Sequence, residues 1–114
     1  MNEESDLTTW QLTQVWESLE LLAAGPEAQI AYLERLGTAP SLDELALEFD
    51  DARRLVPGLV SDGAVPDELD LVVRKIDARL HEMSSRLEFW QSDAIDGPEW
   101  DSVRQLARRA LELQ

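Results

Sequence analysis

The sequence contains no cysteine and one histidine among its 114 residues. Without cysteine the chain can form neither a disulfide framework nor a thiolate metal site, and it has no cysteine nucleophile. No apolar run reaches transmembrane length, and the first ten residues, MNEESDLTTW, lack the basic and apolar segments of a secretory signal. We therefore expect a cytoplasmic protein that does not enter a membrane.

Basic residues are also scarce, since 10 Lys and Arg stand against 24 Asp and Glu, which gives a formal net charge of −14. A charge of this sign repels phosphate backbones and anionic lipids, so we expect no direct binding of nucleic acid. The hydrophobic share of 44% is nevertheless typical of a folded chain. The length suits one domain over residues 1–114, and we expect residues 1–7 to be frayed.

Apolar residues recur along the chain at three- and four-residue steps, the spacing that aligns one face of an α-helix. This periodicity predicts an all-α fold, a single compact bundle of about five helices. Two sites, Thr8 with Gln11 and Ser41 with Glu44, have the spacing of a capping box at a helix start. With proline and glycine as stop signals, the predicted helices cover residues 8–24, 26–36, 41–55, 66–90 and those from 98 onward.

The longest apolar stripe belongs to the predicted helix that starts at Pro66, and we expect this helix to lie at the centre of the bundle. The stripe extends through Leu87 and continues toward Trp90, although Ser84 and Ser85 can break it. The turn-rich segment 57–66 carries apolar residues and is predicted to pack over the core, with a mobile flap as the alternative. In the predicted helix over residues 26–36, the inward positions are Ile30, Leu33 and Leu36.

The predicted helix that starts at Ser41 separates into an apolar face and an acidic face. Its predicted core positions are Leu42, Leu45, Ala46, Phe49 and Ala52. Glu44, Glu48 and Asp51 share one strip, although like charges at such spacings cost an isolated helix roughly 0.2–0.5 kcal/mol per pair. The stability of the helix alone therefore does not favour three acidic residues on one strip. The strip is therefore either a solvated face that aids solubility or a docking face for a basic protein.

The predicted partner-binding surface extends beyond that strip, and aromatic residues bear on it. Trp16, Trp90 and Trp100 follow apolar stripes and are predicted to lie in the core. Trp10 falls toward a polar side and is either a lid on the bundle, which we prefer, or an exposed aromatic anchor. The candidate partner-binding residues are Glu44, Glu48, Asp50, Asp51, Asp62 and Trp10.

Residues for catalysis are sparse. His81 has Asp77 four residues before it, which can orient an imidazole as an acid/base unit. Nothing in the sequence completes such a site, so we interpret the two residues as an ordinary surface pair. The chain has no Glu-x-x-His pair for a di-iron centre and no glycine-rich phosphate loop.

Two pairs of carboxylates, Glu17 with Glu20 and Glu48 with Asp51, have a spacing of three residues. They resemble the Glu-x-x-Glu and Glu-x-x-Asp pairs of the all-α nucleotide pyrophosphohydrolases. That resemblance implies a magnesium ion held between helices by these four residues, where it binds a triphosphate and activates water. The alternative is that all four are solvated carboxylates on the helix surface.

A second resemblance concerns the whole chain. Its small size, its acidity and the stretches LDELALEFDDA and GPEWDSVRQLARRALEL resemble the immunity proteins of bacterial toxin systems. This resemblance implies a non-enzymatic protein without a cofactor, whose acidic face covers a basic partner such as a cognate toxin nuclease. The pyrophosphohydrolase and a structural or regulatory homo-oligomer are the alternatives, and the oligomeric state is open.

Overall fold

A computed structural model of the protein describes residues 3–37 and 42–114, with side chains from Asp6 onward. All regular structure in these residues is helical and forms a compact bundle, which confirms the predicted all-α class. The α-helices are α1 (Glu3–Ala23), α2 (Pro26–Arg35), α3 (Asp43–Arg53), α4 (Val56–Ser61), α5 (Asp67–Met83) and α6 (Pro98–Leu111). Five of them correspond to the predicted helices, and the short α4 is additional. Two 3₁₀ helices, Leu87–Trp90 and Ser92–Asp96, connect α5 to α6.

The first helix starts earlier than the capping pattern predicts. Because α1 begins at Glu3, Thr8 lies inside the helix, and the predicted capping box with Gln11 is wrong. The second predicted capping box involves Ser41, which lies outside the described residues. The helix that follows it, α3, begins at Asp43, directly after Leu42.

The third helix ends at Arg53, slightly before the predicted end near residue 55, and α4 begins at Val56 within the predicted connection. Pro57 lies in the first turn of α4, where its missing N–H group has no helical partner to lose. Leu59 and Val65 are buried. The segment therefore packs over the core as predicted, but part of it is helical.

The fifth helix ends at Met83 and does not continue to Trp90, which corrects the longest predicted helix. Ser84 follows directly, and its hydroxyl donates a hydrogen bond of 2.6 Å to the carbonyl of His81. Leu87, predicted to extend the apolar stripe, is 81% exposed because it belongs to the 3₁₀ segment. Leu36, predicted to point inward, is 43% exposed just beyond the end of α2.

The centre of the bundle is α6 rather than α5. It packs along α1 on one side and α5 on the other, while α1 also packs against α3. Trp100 of α6 is fully buried, as predicted, and makes an edge-to-face contact with Trp90 at 5.6 Å between ring centres. Trp16 and Trp90 are half-buried against the core.

Of the three polar residues that are buried in the described part of the chain, two join helices within this core. Gln29 of α2 donates through Nε2 to the carbonyls of Leu21 and Leu22, each at 3.0 Å. Its Oε1 accepts a hydrogen bond of 3.1 Å from Arg104 of α6, which is 3% exposed. Burial lowers the pKa of Arg104 from its ordinary value. Through this chain of bonds, α2 is fixed to α1 and α6.

Candidate functional site

A cleft opens between α1 and α3, beside the side chain of Tyr32 from α2. We call it the acidic cleft; its polar and aromatic lining consists of Trp10, Gln14, Glu17, Ser18, Glu20, Tyr32, Glu48 and Asp51. Its cavity volume is about 530 Å³, within the range of about 300–1,000 Å³ that small-ligand sites occupy. The apolar side chains of Leu21, Ala52 and Leu55 complete the wall.

Helical spacing explains why these residues meet. On α1, Trp10, Glu17 and Leu21 follow one another at steps of seven and four residues, which places them on one side of the helix. On α3, Glu48 and Asp51 are three residues apart and flank one surface strip. Because α1 and α3 pack against each other, the two strips face a common opening.

All four carboxylates of the predicted metal pattern line the acidic cleft, namely Glu17, Glu20, Glu48 and Asp51. Each of these residues is exposed. Neither lysine nor arginine lines the cleft within the described part of the chain. The opening therefore presents concentrated negative charge to whatever approaches it.

Tyr32 fixes one of these carboxylates. Its hydroxyl donates a hydrogen bond of 3.0 Å to Oε1 of Glu48, which links α2 to α3 across the cleft. Burial raises the pKa of Tyr32 above its ordinary value of 10.0, and the hydrogen bond and charge of Glu48 raise it further. Tyr32 is therefore a protonated donor at neutral pH, and it holds Glu48 at the cleft mouth.

Trp10 stands at the edge of the cleft. It is 55% exposed, so the preferred prediction of a buried lid is wrong. The alternative, an exposed aromatic residue in an acidic surface, describes its position. An aromatic face beside carboxylates is a favourable environment for an organic cation.

Ser18 is one of the cleft residues that pattern reasoning missed, together with Gln14 and Tyr32. It is 8% exposed, and among the described residues its Oγ is the one buried side-chain oxygen or nitrogen without a hydrogen-bond partner. A serine inside a helix commonly donates back to the carbonyl four residues earlier, but this one does not. Its signal in the sequence is a polar residue on the apolar stripe of Val15, Leu19 and Leu22.

Three predicted partner-binding residues, Glu44, Asp50 and Asp62, do not line the cleft. Asp62 is exposed beyond the end of α4. Asp50 lies in a second groove and forms ion pairs of 2.8 Å with Arg53 and Arg54. Partial burial raises the pKa of Asp50, but the hydrogen bonds and charges of the two arginines outweigh this effect and lower it overall. Glu44 is half-buried and close enough to Tyr32 to raise its pKa.

The second groove separates α3 from α5 and also contains His81 and Asp77. The carboxylate of Asp77 lies 3.1 Å from Nε of Arg53. This aspartate is therefore paired with an arginine of α3 rather than with the histidine on its own helix. The predicted pairing of Asp77 with His81 is not formed.

The carboxylates of the acidic cleft have the hard oxygen donors that magnesium prefers. In the residues that the structure describes, however, no group of three or more His, Asp or Glu side chains is placed to hold a metal ion. The four residues share an opening without converging on one point. As arranged, they do not fit the magnesium site that the pyrophosphohydrolase resemblance implies.

Comparison of the chain with protein-family models, with curated proteins and with solved structures finds no match. No described helix combines the length and the apolar character needed to span a membrane.

Proposed function

We propose that this protein is a non-enzymatic binding protein of the cytoplasm, which covers a basic protein partner through its acidic cleft. One observation carries the proposal: four carboxylates and an exposed tryptophan surround a single opening that no described lysine or arginine lines. Charged rims set the orientation and speed of protein association, while aromatic anchors supply much of its energy.

The charge of the whole molecule supports the same function. A net charge of −14 draws a basic partner toward the protein from a distance, and the clustered cleft carboxylates set the direction of approach. A partner that binds nucleic acid carries the lysine and arginine residues that such a surface complements. Together with the resemblance to immunity proteins, this favours a toxin nuclease as the partner.

Co-precipitation with charge variants tests this function. The chain serves as bait at low salt in a lysate of its source, and captured proteins are identified by mass spectrometry. We expect a protein rich in Lys and Arg, with capture that falls as salt rises. The double variant Glu48→Lys/Asp51→Lys is expected to lose the partner while its helical circular dichroism spectrum is unchanged.

The matched control is Asp62→Lys/Glu112→Lys, which changes the net charge equally at two exposed residues away from the cleft. We expect this control to retain most of the capture. Equal capture by the wild type and both double variants would exclude the acidic cleft as the docking site. Equal loss in both would mean that net charge alone governs binding.

A magnesium-dependent nucleotide pyrophosphohydrolase is the second candidate, because Glu17, Glu20, Glu48 and Asp51 line one cleft. The separation of these carboxylates argues against it. Melting temperature with and without Mg²⁺, and pyrophosphate release from a panel of nucleoside triphosphates, decide between the two candidates. An increase in melting temperature with Mg²⁺ that Glu48→Gln abolishes, together with product release, would favour the enzyme.

A further inference from the structure

We infer that the acidic cleft is an arginine site: it takes one guanidinium side chain from the basic partner, with Ser18 as an acceptor in the wall and Glu48 and Asp51 at the mouth. This inference rests on the proposed function and states which chemical group of the partner enters the cleft. Three features of the cleft support it, namely an unpaired hydroxyl, an aromatic edge and the charge of its lining.

The unpaired hydroxyl is independent of the acidic residues. Ser18 is more than nine-tenths buried, lines the cleft and has an Oγ without a partner in the described structure. A buried hydroxyl without a hydrogen bond destabilises a fold, so a protein that keeps one commonly uses it. The hydroxyl oxygen is covered in the free protein, so it has to rotate toward the cleft to accept a hydrogen bond from a ligand. A guanidinium group brings only donors, which suits such an acceptor.

The aromatic edge suits the same group. Trp10 is 55% exposed beside the carboxylates, and the planar guanidinium of arginine stacks on aromatic faces better than the ammonium of lysine does. Tyr32 already donates to Oε1 of Glu48. A carboxylate accepts several hydrogen bonds, so Glu48 can bind a cation while Tyr32 holds it in place.

The charge of the lining excludes other classes of ligand. Its carboxylates repel anions, and their placement does not suit a metal ion. A guanidinium has five N–H donors spread over a plane, which matches acceptors that are spread around an opening. Its methylene stem can lie along Leu21, Ala52 and Leu55. A free amino acid is a poorer occupant, because its own carboxylate would face the acidic rim.

A capped Gly-Arg-Gly peptide tests the inference without the partner. Nuclear magnetic resonance titration follows the indole N–H of Trp10 and the backbone amide of Ser18, and the comparison peptides contain lysine or the neutral isostere citrulline. Free arginine is a fourth ligand. We expect saturable shifts at both residues with the arginine peptide, weaker binding of the lysine peptide and free arginine, and none with citrulline.

Two variants separate binding from structure. Ser18→Ala removes a buried, unpaired hydroxyl, so we expect it to raise the melting temperature of the free protein. The same substitution should lower the affinity for the arginine peptide. Glu48→Gln is expected to lower the affinity for the arginine peptide by roughly fivefold or more, as for the loss of one hydrogen bond to a charged group. Asp62→Asn, which removes a charge outside the cleft, is expected to change the affinity little.

Equal shifts with the arginine and citrulline peptides, or affinity that is unchanged in both Ser18→Ala and Glu48→Gln, would overturn the arginine site. A lower melting temperature for Ser18→Ala would show that the hydroxyl is already satisfied, and would also overturn it. Free arginine binding as tightly as the peptide would mean a small-molecule site. If the arginine peptide does not bind but partner capture still depends on Glu48 and Asp51, the arginine site is wrong and the proposed function stands.

Discussion

A single glutamine, Gln29, joins three helices of the bundle. Its amide nitrogen donates to two carbonyls at the end of α1, and its amide oxygen accepts from the buried guanidinium of Arg104. A nearly inaccessible cation is stable only with its partners in place. Arg104 has its closest carboxylate, that of Asp101, at 3.8 Å, so the hydrogen bond to Gln29 is the shorter of the two contacts.

We predict that Gln29→Met lowers the free energy of unfolding by about 2–4 kcal/mol, because it leaves Arg104 buried without its acceptor. The double variant Gln29→Met/Arg104→Met is expected to recover most of this loss, since it removes both polar partners together. Urea denaturation measures both values. Gln105→Met, at an exposed glutamine of α6, is the control and should differ little from the wild type. A double variant as unstable as Gln29→Met would contradict this role.

Asp50 provides a pH-dependent contribution to stability. Its pKa in the folded protein is lowered from its ordinary value of 3.8, so the unfolded chain binds a proton at pH values where the folded protein does not. The stabilisation is therefore complete above the unfolded pKa and is lost as pH falls through the lower, folded value. We predict that Asp50→Asn costs less than about 1 kcal/mol at pH 7, as for other surface ion pairs.

This difference between the wild type and Asp50→Asn should be constant above about pH 5 and should close as the pH falls below 4. Denaturation at several pH values gives the profile. Asp62→Asn removes the same charge from an exposed aspartate for which no ion pair occurs among the described residues. A difference for Asp50→Asn that persists unchanged at low pH would show that the ion pairs with Arg53 and Arg54 do not cause it.

Periodicity identified most core residues because burial repeats at the helical spacing, as for Leu42, Leu45 and Phe49. It missed Ser18, Gln29 and Arg104, because the spacing of apolar residues predicts where apolar side chains are buried and does not identify buried polar ones. What satisfies such a residue depends on partners distant in the sequence: Arg104, which donates to Gln29, lies 75 positions after it.

The presence of each of the longer helices was predicted better than the residues at which it begins and ends. The turn residues Gly25, Pro26 and Gly97 marked boundaries that the structure has. Ser84 and Ser85 indicated a break after Met83, but the sequence did not decide between this break and a helix that continues to Trp90. The break is stabilised by Trp90, which donates through Nε1 to the carbonyl of Met83 at 2.9 Å and so folds the following segment back. Such a tertiary contact has no signal in the local pattern. The same holds for the cleft, which exists because α1 packs against α3.

The short helix α4 allows a matched pair of glycine substitutions. Gly63, just beyond its end, has a φ of +74°, whereas Gly58 lies within the helix, and an added Cβ meets no atom within 4 Å at either position. We predict that Gly63→Ala lowers the free energy of unfolding by about 1 kcal/mol, because alanine is strained in left-handed backbone. Gly58→Ala should raise it by about 0.5–1 kcal/mol, since alanine favours the helix. Urea denaturation that gives both changes the same sign would contradict the described end of α4.

The whole molecule carries its excess negative charge in a small volume, with extents of 45 × 28 × 23 Å. At about 0.01 M salt the screening length is roughly 30 Å, so carboxylates repel one another across most of the protein. The acidic cleft concentrates this repulsion, because the four carboxylates that line it face no described lysine or arginine. The surface that we propose for a basic partner thus destabilises the free protein.

This conflict between binding and stability predicts how salt acts on the free protein. Raising NaCl from about 0.01 M to about 0.15 M shortens the screening length to about 8 Å, and we expect the melting temperature to rise. The variant Glu48→Gln/Asp51→Asn should melt higher than the wild type at low salt and respond less to added salt, since part of the repulsion is gone. Asp62→Asn/Glu112→Gln removes the same charge away from the cleft and should have the smaller effect. Calorimetry at both NaCl concentrations gives the six melting temperatures, two for each of the three proteins. A melting temperature that falls with salt would mean that ion pairs such as Asp50 with Arg53 outweigh the repulsion, and the cleft carboxylates would then cost the fold little.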